Sequence, residues 1–252
     1  MSKESYNPFS LNGKRILVTG ASSGIGRAIA IECSRMGAQV LITARNEVRL
    51  AETISMMDGS ENAMYTADLT DDSQIEALTE FASNIDGLVN CAGVISHVPF
   101  RFNNRNFIDS VMEVNFFAPT TLTQNFIKRK QLNKNASVVF ISSISGGMVS
   151  AIGIATYSAS KGAIAAMSKS LALELAPRGI RVNCISSGMV ETAIMKEGMV
   201  SYEQLEKDRL NYPLGRYGKP DDIAWTAVYL LSDATAWMTG SNIIIDGGYT
   251  CI

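Results

Sequence analysis

A single histidine, His97, serves a chain of 252 residues. A histidine-based triad therefore has one candidate, and a multi-histidine metal site has none. His97 sits in an apolar stretch and reads as a structural residue or part of a pocket wall. Cysteine is sparse, at positions 33, 91, 184 and 251. No pair has CxxC spacing, and the gaps are far too long for a zinc knuckle. The four read as small core residues in a reducing compartment, and no metal is expected. Surplus basic charge is missing as well. The net charge is −2 and the pI about 5.5. That argues against nucleic acid as a partner, and the densest basic run, 128–130, reads as a solvated helix end. No window approaches about eighteen uninterrupted apolar residues, so no membrane partner is expected. The polar N-terminus lacks the apolar centre of a signal peptide. A soluble, cytoplasmic protein is expected.

What the chain does contain is alternation. Hydrophobic residues make up 46% of it, enough for a sizeable core. Short apolar runs at 15–19, 39–43, 63–66, 87–90, 137–141, 180–185 and 242–245 read as strands. Helical segments at 27–36, 46–57, 71–83, 105–130, 156–176 and 220–231 lie between them, with Pro119 interrupting the longest. Asn46 and Asp71 are placed as helix caps. Strands alternating with helices imply the α/β class: a Rossmann-like, doubly wound, seven-stranded parallel sheet with helices on both faces. No linker or repeat divides the chain. One domain over 1–252 is expected, with 1–11 as an N-terminal extension. The stretch 187–212 is irregular, with a short helical piece near 202–209.

Two motifs carry chemistry. Tyr157 and Lys161 are four residues apart in a helical segment, which puts them on one face about one turn apart. The ammonium is expected to lower the phenol pKa towards working pH, giving a group able to exchange a proton with a carbonyl or an alcohol. Ser143, at the end of an apolar strand, has a hydroxyl suited to the same substrate oxygen. The second motif is Gly20-Ala21-Ser22-Ser23-Gly24-Ile25-Gly26, between the first strand and the first helix. Glycines let the backbone approach a pyrophosphate, and the helix N-terminus supplies free amides and partial positive charge. At the end of the second strand stands Arg45, where an acid would select NAD. A guanidinium suits a 2′-phosphate. NADP(H) is the expected cofactor, with NAD(H) as the alternative.

Together these motifs resemble the short-chain dehydrogenase/reductase family over about residues 12–250. The matching residues are Thr19-Gly20, Gly24-Ile25-Gly26, Asp68-Leu69, Asn90-Cys91-Ala92-Gly93, Asn115, Ser143, Tyr157, Lys161, and Thr239-Gly240 through Asp246-Gly247-Gly248. The resemblance implies that Asp68 meets the adenine amino group with Leu69 beside the ring. It implies that Asn90, Ala92 and Gly93 line the cofactor, as do Ser22, Ser23 and Ile25 of the glycine loop. Ser143 would orient the substrate carbonyl and Tyr157 pass the proton. Lys161 would hold the nicotinamide ribose. Asn115 would hold a relay water by disturbing its helix, and Gly188, Val190 and Thr192 would face the carboxamide.

The family usually has Pro-Gly where this chain has Ser187-Gly188, and a more mobile loop is expected there. Arg216 to Ala224 resembles 3-oxoacyl-acyl-carrier-protein reductases. Those enzymes carry basic residues where this chain has Ser23 and Leu173. A small-molecule carbonyl or alcohol substrate is expected. Met148, Ile152 and Ile154, with Met189, Val190, Ala193, Ile194, Met195 and Met199, are candidates for an apolar pocket wall. The reaction expected is a ketone–alcohol interconversion like that of 3-oxoacyl-thioester reductases; a steroid, sugar or small ketone is the alternative substrate. A non-catalytic NADP-binding subunit is the alternative from another class. Relatives in the family are commonly homotetramers, so a homo-oligomer is expected.

Overall fold

Strand-forming runs such as Arg-Ile-Leu-Val-Thr (β1, Arg15–Thr19) alternate their side chains between two faces, and here both faces are covered. Ile16 and Val18 of β1 join one apolar cluster, while Leu17 joins the other. In β5 (Leu132–Ser143), Val139 and Ile141 point one way and Val138 and Phe140 the other. Full burial of each such side chain contributes roughly 1.5–3 kcal/mol. The computed structural model describes residues 6–192 and 207–251.

The remaining strands are β2 (Gln39–Ala44), β3 (Ala63–Thr66), β4 (Ile85–Asn90), β6 (Arg181–Ser187) and β7 (Asn242–Ile245). The sheet order is β3-β2-β1-β4-β5-β6-β7, and every pairing is parallel. The helices are α1 (Gly24–Arg35), α2 (Glu47–Ser55), α3 (Asp72–Phe81), α4 (Arg105–Met112), α5 (Ala118–Lys128) and α6 (Ala155–Leu175). The last, α7, runs Pro220–Leu231. The chain crosses from β3 to β4 over the middle of the sheet. That switch opens a crevice at the C-terminal ends of β1 and β4, where ligands of such sheets bind.

Most expected boundaries hold within two or three residues, and the exceptions have causes. Helix α1 starts at Gly24 rather than 27, because the second half of the glycine loop is itself the first turn. Strand β5 starts at Leu132, not 137. Leu132 pairs with Ile85, the chain bulges out, and Ser137 then pairs with Gly87. The 105–130 segment breaks before Pro119, which sits harmlessly in the first turn of α5. The break is a π turn at Glu113–Phe117 that contains Asn115. The caps work as expected: Asn46 accepts from the Arg49 N–H at 2.9 Å, and Asp71 accepts from Ser73 and Gln74.

Ser187 lies in the sheet. It ends β6, buried, in register with Ser143 on one side and Ile245 on the other. The serine that replaces the family's proline is therefore held in the sheet, while most of the loop expected to be more mobile, 193–206, lies outside the described residues. Among the cysteines, Cys33 and Cys184 are buried as expected, but Cys251 is exposed. The expected helical piece near 202–209 falls mostly outside the described residues, as do Ala193, Ile194, Met195 and Met199.

Candidate active site

Three glycines make the cradle at the head of β1. A Cβ on Gly20, whose φ is 68°, would lie 2.8 Å from the Ala92 Cα. One on Gly26 would strike the Gly20 carbonyl, and one on Gly24 would press on the Thr192 methyl at 3.2 Å. The loop can follow this path only without side chains. Thr19 fastens the cradle to β4 by accepting from the N–H groups of Cys91 and Ala92, at 3.0 and 3.1 Å. Arg27, unremarked in the sequence, clamps the loop from outside. Its guanidinium donates to the Ser22 carbonyl at 2.6 Å and pairs with Glu52 at 3.0 Å.

Ser23, the residue before α1, makes no side-chain cap, and its flanking residues Ser22 and Ile25 are half-buried. A backbone-lined hollow at an uncapped helix start is a fit for a dinucleotide pyrophosphate. Asn90 adds a buried Oδ1 with no partner among the described residues, its Nδ2 donating to Thr123 at 3.1 Å.

At the far end of this crevice Asp68 accepts from the N–H and hydroxyl of Thr70, at 3.0 and 2.8 Å. Those bonds, and to a lesser degree Arg45, hold its carboxyl below the ordinary range. Leu69 is buried beside it, and Arg45 is exposed at the end of β2. At the near end, Gly188 donates to the Ile245 carbonyl at 2.9 Å. Val190 bridges Gly218, and the Met189 N–H reaches the Tyr212 hydroxyl at 3.3 Å. Thr192 faces Gly24, so this segment closes over the glycine loop.

The reactive side chains meet between these ends. Tyr157 and Lys161 share one face of α6, with the Lys161 Nζ 5.9 Å from the Tyr157 ring centre. Lys161 is buried and donates to the Ile141 carbonyl at 2.9 Å. The Ser143 hydroxyl accepts from the Ser145 N–H at 3.1 Å and stands close enough to the Tyr157 phenol to act on it. Gly93 completes the floor: a Cβ there would come within 3.2 Å of Asn115 Oδ1 and 3.3 Å of Lys161 Nζ. The Asn115 carboxamide accepts from the Val94 N–H at 2.8 Å and donates to the Val94 carbonyl at 2.9 Å.

A second glycine contact sets Ser143 against α6. A Cβ on Gly146 would lie 2.9 Å from the Gly162 nitrogen, and one on Gly162 would lie 2.9 Å from the Gly146 carbonyl oxygen. The Ser142 hydroxyl also donates to the Lys161 carbonyl at 2.9 Å. No sequence signal marked either contact, because each joins segments far apart in the chain.

The electrostatics correct one expectation. Burial pushes the Tyr157 phenol above its ordinary pKa, and the nearby Ser143 hydroxyl opposes that only in part. Burial pushes Lys161 down. The buried lysine therefore does not pull the phenol down to neutral pH by itself. Cys91 and Cys184 are weakly acidic thiols, pushed up to about 12 and about 11 by burial. They are unsuited to act as nucleophiles.

Around the mouth, the Val98 N–H donates to the Gly153 carbonyl at 2.8 Å, tying 94–98 to the segment before α6. Ile95, Met148, Met189 and Ile152 are exposed there, Ile152 almost wholly. Ile154 is buried. His97 is exposed. No group of three or more His, Cys, Asp or Glu among the described residues is placed to hold a metal. No helix among them is long and apolar enough to cross a membrane.

A family model described as enoyl-(acyl carrier protein) reductase matches residues 20–250. Among curated proteins, dehydrogenase/reductase SDR family member 6 of Xenopus laevis is 34% identical, covering 95% of this chain and 98% of its own. The 3-oxoacyl-[acyl-carrier-protein] reductase of Rickettsia conorii is also 34% identical, over 94% and 97%. A candidate 2-deoxy-d-gluconate 3-dehydrogenase from Agrobacterium tumefaciens, solved with bound NADP, superposes with a TM-score of 0.89. It is 33% identical, over 98% of this chain and 100% of that one.

Proposed function

The chain belongs to the short-chain dehydrogenase/reductase family of oxidoreductases, and we propose that it interconverts a ketone and a secondary alcohol with NADP(H), Tyr157 carrying the proton. The observation that carries this reading is the convergence of Ser143 and Tyr157 beside buried Lys161, at the crevice lined by Gly20 and Gly93. Gly20, Gly24 and Gly26 would seat the pyrophosphate, with Ser22, Ser23 and Ile25 around it. Asp68 and Leu69 would meet the adenine. Asn90, Ala92, Gly93, Gly188, Val190 and Thr192 would flank the nicotinamide half. Arg45 would take the 2′-phosphate, which favours NADP(H) over NAD(H). The bound nicotinamide supplies or receives the hydride.

The chain's own residues do the rest. Ser143 holds the substrate oxygen by donating a hydrogen bond to it. Tyr157, protonated because burial raises its pKa, gives its proton to that oxygen as negative charge develops. In the reverse direction the phenolate takes the proton from the alcohol. Lys161, fixed by the Ile141 carbonyl, steadies the phenolate and reaches the ribose. Asn115 holds the Val94 loop in place beneath them.

The mouth supports an uncharged substrate flanked by hydrocarbon. Residues 144–156 contain no charged side chain. Arg101 stacks on the Phe102 ring at 4.7 Å, and Glu191 faces Arg209 at 3.9 Å. A 3-oxoacyl thioester fits this description. Leu173, where carrier-protein reductases are basic, is exposed, which favours a free thioester or simple ketone over a carrier-bound one. Exposed Phe117, Leu173, Trp225 and Ile244 support a homo-oligomer, a tetramer in this reading, which light scattering would measure.

The test is NADPH consumption across a panel of ketones and 3-oxoacyl thioesters, for the wild type and Tyr157→Phe. Turnover of apolar ketones by the wild type alone is expected. Undiminished turnover by the variant would exclude the phenol as proton carrier.

A further inference from the structure

Between Tyr157 and Lys161 lies a third buried polar side chain. Ser160 is fully buried. Its hydroxyl donates to the Tyr157 carbonyl at 2.7 Å and accepts from Asn115 Nδ2 at 3.0 Å. The other bonds of that carboxamide go to the backbone of Val94. One continuous chain of hydrogen bonds thus runs from the loop after β4, through the π turn, into the turn of α6 that carries the phenol.

A serine inside a helix is a poorer helix former than alanine, and one that bonds back to its own carbonyl ladder gains little by it. Helix α6 contains its own control. Ser168 is equally buried and bonds back to the Ala165 carbonyl at 2.9 Å, but has no long-range partner among the described residues. Ser160 differs only in accepting from Asn115. Both hydrogens of the Asn115 amide are therefore committed to protein groups, and one of the two commitments ends at the tyrosine's own turn.

We infer that Ser160 is a positioning residue, whose hydroxyl ties the Tyr157 turn to Asn115 and thereby sets where the phenol stands against Ser143. The inference rests on Tyr157 being the proton carrier. The π turn then has a role of its own: the widened turn brings the Asn115 side chain within reach of both Val94 and Ser160. Substituting Ser160 by alanine leaves a buried amide hydrogen without a partner and lets the tyrosine turn relax.

The experiment compares Ser160→Ala, Ser160→Thr, Ser168→Ala, Asn115→Ala and the Ser160/Asn115 double variant. Two readouts are used: hydrogen exchange of amides 155–161 without nucleotide, and steady-state kinetics with NADPH binding measured by fluorescence. For Ser160→Ala, kcat should fall about tenfold from a small misplacement of the phenol. The KM for ketone and the Kd for NADPH should stay within about twofold. Exchange in 155–161 should quicken. Ser160→Thr, which keeps a hydroxyl, should recover most of the loss, and Ser168→Ala should match the wild type in both readouts. The double variant should be no worse than Asn115→Ala, since the two residues act as one unit.

Equal behaviour of the Ser160 and Ser168 variants, or full additivity with Asn115→Ala, would overturn the inference. If Ser160→Ala does not fold, Ser160→Cys takes its place, and full kcat in that variant overturns it too. Should Tyr157→Phe keep its turnover, the proton-carrier reading fails by that result alone, while the exchange data still report whether Ser160 couples Asn115 to the helix.

Discussion

The floor of the site and its mouth are built on opposite principles. On the floor, Asn115, Ser143 and Lys161 are buried, and their polar atoms are tied to backbone groups. At the mouth, Ile95, Met148 and Ile152 stand exposed. A buried polar group without its partner is costly, so a floor of this kind admits few substitutions. An exposed apolar side chain can be exchanged with little effect on the fold. On the proposed reading, the reaction rests on residues the fold cannot vary and the substrate on residues it can. The relatives fit that division: names that specify an oxoacyl thioester and a sugar acid belong to proteins of nearly equal identity to this chain.

The comparison breaks most sharply at Tyr157. Tyr157→Phe should lower kcat by about 10³-fold, within the range for losing a positioned acid. NADPH affinity, measured by fluorescence, should hardly move. A matching loss of affinity would mean that the ring serves binding rather than proton transfer. Next comes pH. The raised phenol pKa keeps the donor form present through neutral pH. Ketone reduction should then be flat from about pH 6 to 9, while alcohol oxidation, which needs the phenolate, climbs about tenfold per unit. Reduction that declines from neutral pH upward would show that Lys161 and the bound nucleotide outweigh burial.

The cradle is as intolerant as the floor, though it has no side chains to lose. Gly26→Ala drives a methyl into the Gly20 carbonyl. Overpacking of this kind costs about 1–3 kcal/mol, so NADPH affinity should fall by about ten- to a hundredfold and the melting temperature with it. An alanine variant with unchanged affinity would mean that the loop has room to shift. Arg45 is the exposed part of the cofactor site, and its expected effect is smaller. Arg45→Ser should raise the KM for NADP about tenfold and leave that for NAD alone. Unchanged preference in a paired assay would place the 2′-phosphate contact elsewhere.

Local signals carried most of the fold. Short apolar runs found all seven strands, and Asn46 and Asp71 were readable as caps because a cap acts within three residues. The reactive set was legible because Tyr157 and Lys161 sit one helical turn apart. What stayed hidden is what depends on distant segments meeting. Ser160 looks like any small helix residue until Asn115, forty-five positions earlier, is placed on it. Gly146 and Gly162 look dispensable until their backbones touch. The phenol's pKa was misjudged for the same reason. The spacing gives the lysine's charge but not the burial that outweighs it. The break assigned to Pro119 belongs to the π turn at Asn115, a disturbance that the family resemblance implied and local propensity did not show, since a proline in a first turn does no harm.

The mildest test separates mouth from floor most directly. Ile152 is 92% exposed, so exchanging it for serine removes almost no buried contact and should leave the melting temperature where it was. If the side chain closes over a bound apolar substrate, part of its surface becomes buried only in the complex. Losing about one buried methylene's worth of contact, some 0.8 kcal/mol, raises the KM for an apolar ketone about fourfold. The KM for a small polar ketone, too short to reach Ile152, should stay the same, and kcat should not change for either. Equal KM shifts for both ketones would place Ile152 off the substrate path, and with it the argument that the mouth selects hydrocarbon.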